Sequence, residues 1–280
     1  MATWLVTGGA GFIGSHLVEA LAAAGRTVRV FDNLDTGLES NLAHISPAPE
    51  FVRGSVTDPG ALAKAVAGCE VVFHLAALAS VAKSVEDPPL SHAVCATGTL
   101  NVLDAARKAG VRRVVYAASA SAYGGASDPA GQGEDTPLCA LSPYAAAKLA
   151  GEYYAEAFAA TFGLETVRLR FFNVFGPRQR PDSPYSGVIA IFAALLAAET
   201  PGVSGRVYNV GTGQCVTLLQ LIDVLNTLLG TSAVPVHGAA RAGDVRDSRA
   251  KIDRIRRDLG YEPGVAFEEG LRRTLEWARG

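Results

Sequence analysis

Short β-branched runs alternate along this chain with longer helical patterns that stop on a glycine, and that alternation leaves few folds open. Trp4–Thr7, Val28–Phe31, Glu50–Arg53, Val71–Leu75, Arg113–Ala118 and Thr166–Phe171 read as strands. Most are apolar throughout, as strands buried on both faces of a parallel sheet must be. Helical patterns lie between them at Phe12–Ala24, at Ala61–Ala67 after Asp58-Pro59, at Leu90–Ala109, and at Tyr144–Phe162 after Ser142-Pro143. Asp or Ser as N-cap with Pro in the first helical position is a start signal. Gly25, Gly68, Gly110 and Gly163 supply the stops. A βαβα order predicts an α/β fold, a doubly wound parallel sheet with right-handed crossovers.

After Phe175 the pattern changes. Gly176 to Pro184 is a turn-rich linker, followed by a helix, a short strand Val207–Asn209, a helix near Thr217–Leu229 and a closing helix near Phe267–Arg279. The expected organisation is a dinucleotide-binding domain over residues 1–175 and a smaller C-terminal substrate-binding lobe over 176–280, interleaved with the first.

Composition narrows the function. Lys plus Arg is 25 and Asp plus Glu is 27, so no basic field draws the chain to nucleic acid or anionic lipid. The longest apolar run, Val188–Ala198, has eleven residues, short of the roughly 20 that a membrane span needs. The strand pattern begins at once, without a basic leader segment. Cys69, Cys95, Cys139 and Cys215 stand far apart with no C-x-x-C pair, which argues against a metal site and against a disulfide framework. A cytoplasmic protein is expected.

Thr7-Gly8-Gly9-Ala10-Gly11-Phe12-Ile13-Gly14 joins the first strand to the first helix. Its glycines allow a tight turn, close approach of backbone N–H groups to a pyrophosphate, and packing of helix on sheet. The helix N-terminus adds partial positive charge. The spacing is G-x-x-G-x-x-G rather than G-x-G-x-x-G. Asp32 ends the second strand 21 residues after Gly11, where a carboxylate accepts hydrogen bonds from a ribose diol and repels a 2′-phosphate. Asn33 and Leu34 offer no compensating cation, so NAD is favoured over NADP.

Tyr144 and Lys148 lie at i and i+4 near a helix start, on one face. A phenol titrates near 10 and needs about 4 kcal/mol of stabilisation to act as a base at neutral pH. A neighbouring ammonium and the charge of an oxidised nicotinamide can provide it. Y-x-x-x-K alone is a common surface pattern; its place after a strand ending in Ala118-Ser119, in a chain with a cofactor turn, gives it meaning.

These motifs, with His74-Leu75-Ala76-Ala77 and Ser119 through Tyr123-Gly124, resemble the extended short-chain dehydrogenase/reductase family, which has a Rossmann sheet. Arg170 to Gln179, Tyr208-Asn209-Val210-Gly211 and Arg241-Ala242-Gly243-Asp244 are similar to nucleotide-sugar 4-epimerases. The resemblance implies that Tyr144 removes the O4 proton while the C4 hydride passes to NAD, that Ser119 binds O4, and that Lys148 binds the nicotinamide ribose and lowers the Tyr144 pKa. It places Gly8, Gly11, Phe12, Ile13, Gly14, Asp32, Asn33, Thr36, Gly37, Ser55, Val56, Leu75, Ala76 and Ala77 against the cofactor. It places Ser80, Ser121, Asn173, Val188, Arg241, Asp244 and Ser248 against a UDP-sugar. Ala120 and Ser121 stand where dehydratases carry Asp-Glu, which disfavours dehydration. Ser248 is small where a bulky residue would crowd an N-acetyl group, so the UDP-GlcNAc/UDP-GalNAc pair is favoured, with UDP-Glc/UDP-Gal also accepted. The alternatives are another UDP-sugar enzyme (a uronate epimerase, decarboxylase or reductase) and a non-catalytic NAD-binding protein. The family further implies a homodimer through the helices near Leu90–Ala109 and Tyr144–Phe162, with Ala145-Ala146-Ala147, Ala155 and Ala159 allowing close approach.

The sequence departs from that pattern in three places. Ser55 replaces an Asp that contacts adenine, and Cys95 replaces an Asn and reads as a small buried thiol. Relatives also carry roughly 35 to 45 residues near 199–203, with a second phosphate-binding arginine, where Thr200-Pro201-Gly202 bridges directly here.

Overall fold

The computed structural model describes residues 2–125, 130–179, 190–238 and 247–279. Seven strands form one sheet: β1 (Thr3–Thr7), β2 (Thr27–Asp32), β3 (Glu50–Arg53), β4 (Cys69–His74), β5 (Arg113–Ser119), β6 (Glu165–Phe171) and β7 (Arg206–Val210). All pairings are parallel, in the order β3-β2-β1-β4-β5-β6-β7. The helices are α1 (Phe12–Ala23), α2 (Pro59–Val66), α3 (Val81–Glu86), α4 (Pro88–His92), α5 (Gly98–Lys108), α6 (Pro143–Phe162), α7 (Ala190–Glu199), α8 (Leu218–Leu229), α9 (Asp253–Leu259) and α10 (Phe267–Ala278).

Side chains of successive strand residues enter opposite layers. Trp4, Val6, Val30, Phe73, Val115 and Val167 pack with α1, α7 and α9, while Leu5, Phe31, Val72 and Val114 pack with α2, α5 and α6. Both faces are dry, which explains the uninterrupted apolar runs. The strand order reverses between β1 and β4, and ligands of open α/β sheets bind beyond the strand carboxyl ends at such a reversal. This is the doubly wound α/β architecture expected from the alternation.

Three local readings change. The helix expected at Leu90–Ala109 begins two residues earlier, where Asp87 caps α4 by accepting from Leu90 N at 3.0 Å, and it runs without interruption into α5 through a π-helical turn at Ala93–Thr97. Helices α3 and α9 are too short for a periodic signal. The strand read at Val207–Asn209 is β7, and it extends the main sheet beside β6, so the sheet draws on both halves of the chain. Helix α7 reaches β7 through Thr200–Gly205. Buried Arg113 closes the C-terminus of α7 by donating to the carbonyls of Ala197 at 2.8 Å and Thr200 at 2.7 Å. On α6, Ala145, Ala147 and Ala155 are consumed by packing within the chain, and the large exposed side chains on that helix are Tyr153, Tyr154 and Phe162. No helix among the described residues is long and apolar enough to cross a membrane.

Candidate active site

Most of the described residues singled out from sequence lie beyond the carboxyl ends of β1 to β6. In the β1–α1 turn Gly8 has φ +70° and donates its N–H to Phe31 O at 2.8 Å. A Cβ on Gly8 would stand 2.7 Å from Ala76 N, and one on Gly14 would stand 2.1 Å from Gly8 O. Both near neighbours are backbone, so the turn admits nothing larger than glycine. Gly11 is the N-cap of α1 and brings no capping side chain, so the first N–H groups, through Phe12 and Ile13, are left for an anion.

Asp32 is 7% exposed and accepts from Ala10 N at 3.0 Å and Leu34 N at 2.8 Å. The chain then folds back over the turn. Asn33 Oδ1 accepts from Asp35 N at 3.1 Å, Thr36 leads into Gly37, and Gly37 lies so near Ala10 and Asp32 that a Cβ would be 3.0 Å from each. Ser55 Oγ pairs with Thr57 Oγ1 at 2.8 Å, and buried Val56 wedges against Gly98.

Leu75, Ala76 and Ala77 follow β4 and are held by Thr7: Leu75 N donates to Thr7 O at 3.1 Å, and Ala76 N to Thr7 Oγ1 at 3.3 Å. Ser80 caps α3, its hydroxyl accepting from Lys83 N at 3.2 Å. His74 is fully buried between Thr7 Oγ1 at 2.8 Å and Thr99 Oγ1 at 3.0 Å. Burial, and then the charge of Lys148, push its pKa down to about 3, so the imidazole is neutral and links the glycine turn to α5.

Ser119 ends β5 and caps a one-turn helix, Ala120–Tyr123. Its Oγ accepts from Ser121 N at 3.2 Å and from Ser121 Oγ at 2.9 Å. A hydroxyl has two lone pairs and one proton. With both lone pairs occupied, Ser119 is left as a donor, and its hydroxyl favours the charged form of the Tyr144 phenol. Lys148, 3% exposed, donates to Ala117 O at 2.8 Å and stands 4.9 Å over the Tyr116 ring.

Burial raises the Tyr144 pKa well above its ordinary value, opposed by the hydrogen bond from Ser119. Lys148 is itself drawn below its ordinary value by burial, with Cys95 and Glu152 acting against that. Burial alone therefore opposes the base form, which positive charge beside the phenol favours.

Asn173 is exposed just beyond β6. The following segment crosses to α1, where His16 Nε2 meets Pro177 O at 2.8 Å and Arg178 reaches Asn41 O at 3.3 Å. Half-buried Ser248 lies in a stretch pinned to Gln132, whose N donates to Arg249 O at 2.8 Å. Val188, Arg241 and Asp244 lie outside the described residues.

Sequence reasoning passed over a buried ion pair beside this cluster. Arg170 on β6 donates to Glu152 on α6 at 2.7 to 3.1 Å, both side chains at least 96% buried. The signals were an arginine inside an apolar strand and a carboxylate one turn beyond Lys148.

Known proteins are similar to this chain over most of its length. The family model described as "NAD dependent epimerase/dehydratase family" matches residues 4–216. The UDP-glucose 4-epimerase of Mycolicibacterium smegmatis is 38% identical over 309 residues, with 98% of each chain covered. That alignment is longer than the present chain, so the relative has residues without a counterpart here. The crystal structure of Thermus thermophilus UDP-glucose 4-epimerase in complex with NAD superposes with a TM-score of 0.89 at 34% identity, covering 99% of both chains. The UDP-N-acetylglucosamine 4-epimerase of Methanobrevibacter ruminantium, in complex with UDP-N-acetylmuramic acid, gives 0.90 at 31%, covering 99% and 98%. A glycine-only turn, a buried strand-end carboxylate and a Ser–Tyr–Lys cluster on this sheet accord with that match across most of the chain, which therefore belongs to the NAD dependent epimerase/dehydratase family.

Proposed function

We propose that this protein is an NAD-dependent 4-epimerase of UDP-hexoses, working through a 4-keto intermediate. The observation that carries the reading is buried Lys148, bonded to Ala117 O at 2.8 Å, on the helix that carries Tyr144 and beside the strand end that carries Ser119.

The cleft fits a dinucleotide. Gly8 and Gly14 leave a cradle that a Cβ would fill, the first N–H groups of α1 face a pyrophosphate, and Asp32 retains lone pairs for a ribose diol. Bound NAD supplies a reversible store for the C4 hydride. The remaining chemistry falls to the chain. Tyr144 takes the O4 proton as C4 is oxidised and returns it after the keto sugar has presented its other face. Ser119 has a single proton to give, to O4 when a sugar is seated and otherwise to the phenol oxygen. Lys148 places a buried ammonium behind Ala117, on the side of α6 that carries Tyr144, and has two N–H groups left for a ribose.

Ala120 and Ser121 carry no carboxylate, so the turn after β5 lacks the acid and base for eliminating water. The small Ser248 leaves room at C2, and we assign the N-acetylated pair as favoured with the UDP-glucose pair also accepted. Exposed Leu90, Tyr153 and Tyr154 on α4 and α6 support a homodimer through those helices, which light scattering tests.

The direct experiment incubates the NAD-loaded protein with UDP-Glc, UDP-GlcNAc and UDP-glucuronic acid and follows the C4 proton coupling by NMR. Inversion at constant mass supports the reading. A change of mass assigns a decarboxylase or dehydratase instead. Tyr144→Phe is expected to lower kcat by about a thousandfold while NAD stays bound. An unaltered rate in that variant, or no conversion by the parent, overturns the reading.

A further inference from the structure

The Tyr123 hydroxyl is a junction of four elements. It donates to Asn209 Oδ1 on β7 at 2.6 Å and accepts from Arg170 Nη1 on β6 at 2.8 Å. Arg170 is clamped by Glu152 on α6, the helix that also carries Tyr144 and Lys148. Asn209 Nδ2 donates in turn to Gln132 O at 2.9 Å and Lys251 O at 3.2 Å, on either side of the segment that holds Ser248. The Tyr123 side chain is 1% exposed.

Tyr123 is also the last residue of the single helical turn that Ser119 caps. That turn is too short to hold itself. Its start is fixed by β5, and its end by the Gly124 N–H to Ser121 O bond at 3.2 Å, the Cys139 N–H to Ala122 O bond at 2.8 Å, and the Tyr123 hydroxyl. The Ser121 groups that fill the lone pairs of Ser119 lie within it.

We propose that Tyr123 is a positioning residue for C4 chemistry: by tying the Ala120–Tyr123 turn to Arg170 and Asn209, it holds Ser121 against Ser119 and so aims the Ser119 hydroxyl at Tyr144. This rests on the roles assigned to Ser119 and Tyr144 above. Tyr123 itself stays protonated at working pH, since burial pushes its phenol up to about 12 against the pull of Arg170.

The test compares Tyr123→Phe with Tyr208→Phe. Tyr208 on β7 is equally buried, and its hydroxyl bonds only to Asp258, at 3.2 Å, among the described contacts. Tyr123→Phe is expected to lower kcat about tenfold with KM and NAD content unchanged. The acid limb of its pH–rate profile is expected to move upward, because the phenol loses the donor that favours its base form. Tyr208→Phe is expected to leave that limb in place. The double variant Tyr123→Phe/Ser119→Ala is expected to be no slower than Ser119→Ala alone. A Tyr123→Phe profile that matches Tyr208→Phe, or losses that multiply in the double variant, would overturn the proposal.

If the parent protein converts no UDP-sugar, the functional reading fails, and crystal structures decide the positioning claim separately. A Ser119 Oγ further from the Tyr144 oxygen in Tyr123→Phe than in the parent sustains it; an unmoved Ser119 overturns it.

Discussion

Lys148 Nζ donates to Ala117 O across 2.8 Å, which draws the ammonium of α6 onto the carboxyl end of β5 two residues before Ser119. A side chain this buried keeps its charge only through such contacts, and Glu152 one turn on contributes to holding the proton. Lys148→Met keeps the length and loses the charge. We expect the acid limb of kcat/KM to rise by about one pH unit and NAD to bind at least tenfold more weakly, measured by pH–rate profiles and calorimetry.

The glycine turn gives a steric prediction. The Cβ of Gly14→Ala would meet the carbonyl oxygen of Gly8, and that oxygen is held by the N–H of Gly11 at 3.1 Å. Nothing flexible can yield. We expect a loss of about 1 to 3 kcal/mol in stability and loss of bound NAD, read by denaturation and by absorbance of the purified protein.

Asp32 serves both the fold and the cofactor. Removing its carboxylate in Asp32→Ala leaves Ala10 N and Leu34 N without their acceptor, at a cost of about 1 to 3 kcal/mol. The same change lifts the repulsion against a 2′-phosphate. Affinity for NAD is expected to fall by more than tenfold and the NADP-to-NAD affinity ratio to rise, both measurable by titration.

His74 makes stability depend on acid. Its folded pKa of about 3 lies below the ordinary value of 6.5, so between these values the unfolded chain binds more protons. Stability is therefore complete above about pH 6.5 and declines as pH falls, by up to about 1.4 kcal/mol per pH unit from this one group. Denaturant titrations from neutral to acid pH should show that slope. His74→Asn should flatten it, whatever it costs in absolute stability.

Several features were legible in residue order alone because their signals repeat over a few positions. Apolar runs ending in glycine-stopped helices identified a parallel sheet. Thr7–Gly14 marked the glycine turn between β1 and α1, and the four-residue step from Tyr144 to Lys148 placed both on one face. Ser142-Pro143 marked the start of α6 to within a residue, Ser142 accepting from Ala145 N at 3.2 Å. The π-helical turn between α4 and α5 escaped, because it shifts the apolar spacing within a helix without ending it.

What residue order could not decide is which groups meet across elements. His74 bonds to Thr7, 67 positions away, and to Thr99, 25 away. Tyr123 meets Asn209 at a separation of 86. Such contacts follow from the order of strands and the packing of helices between them, and short-range patterns carry neither. The same holds for the Tyr144 phenol. The chain supplies a tyrosine beside a lysine, but burial among folded neighbours raises its pKa, because removing water penalises charge more than the Ser119 hydroxyl returns.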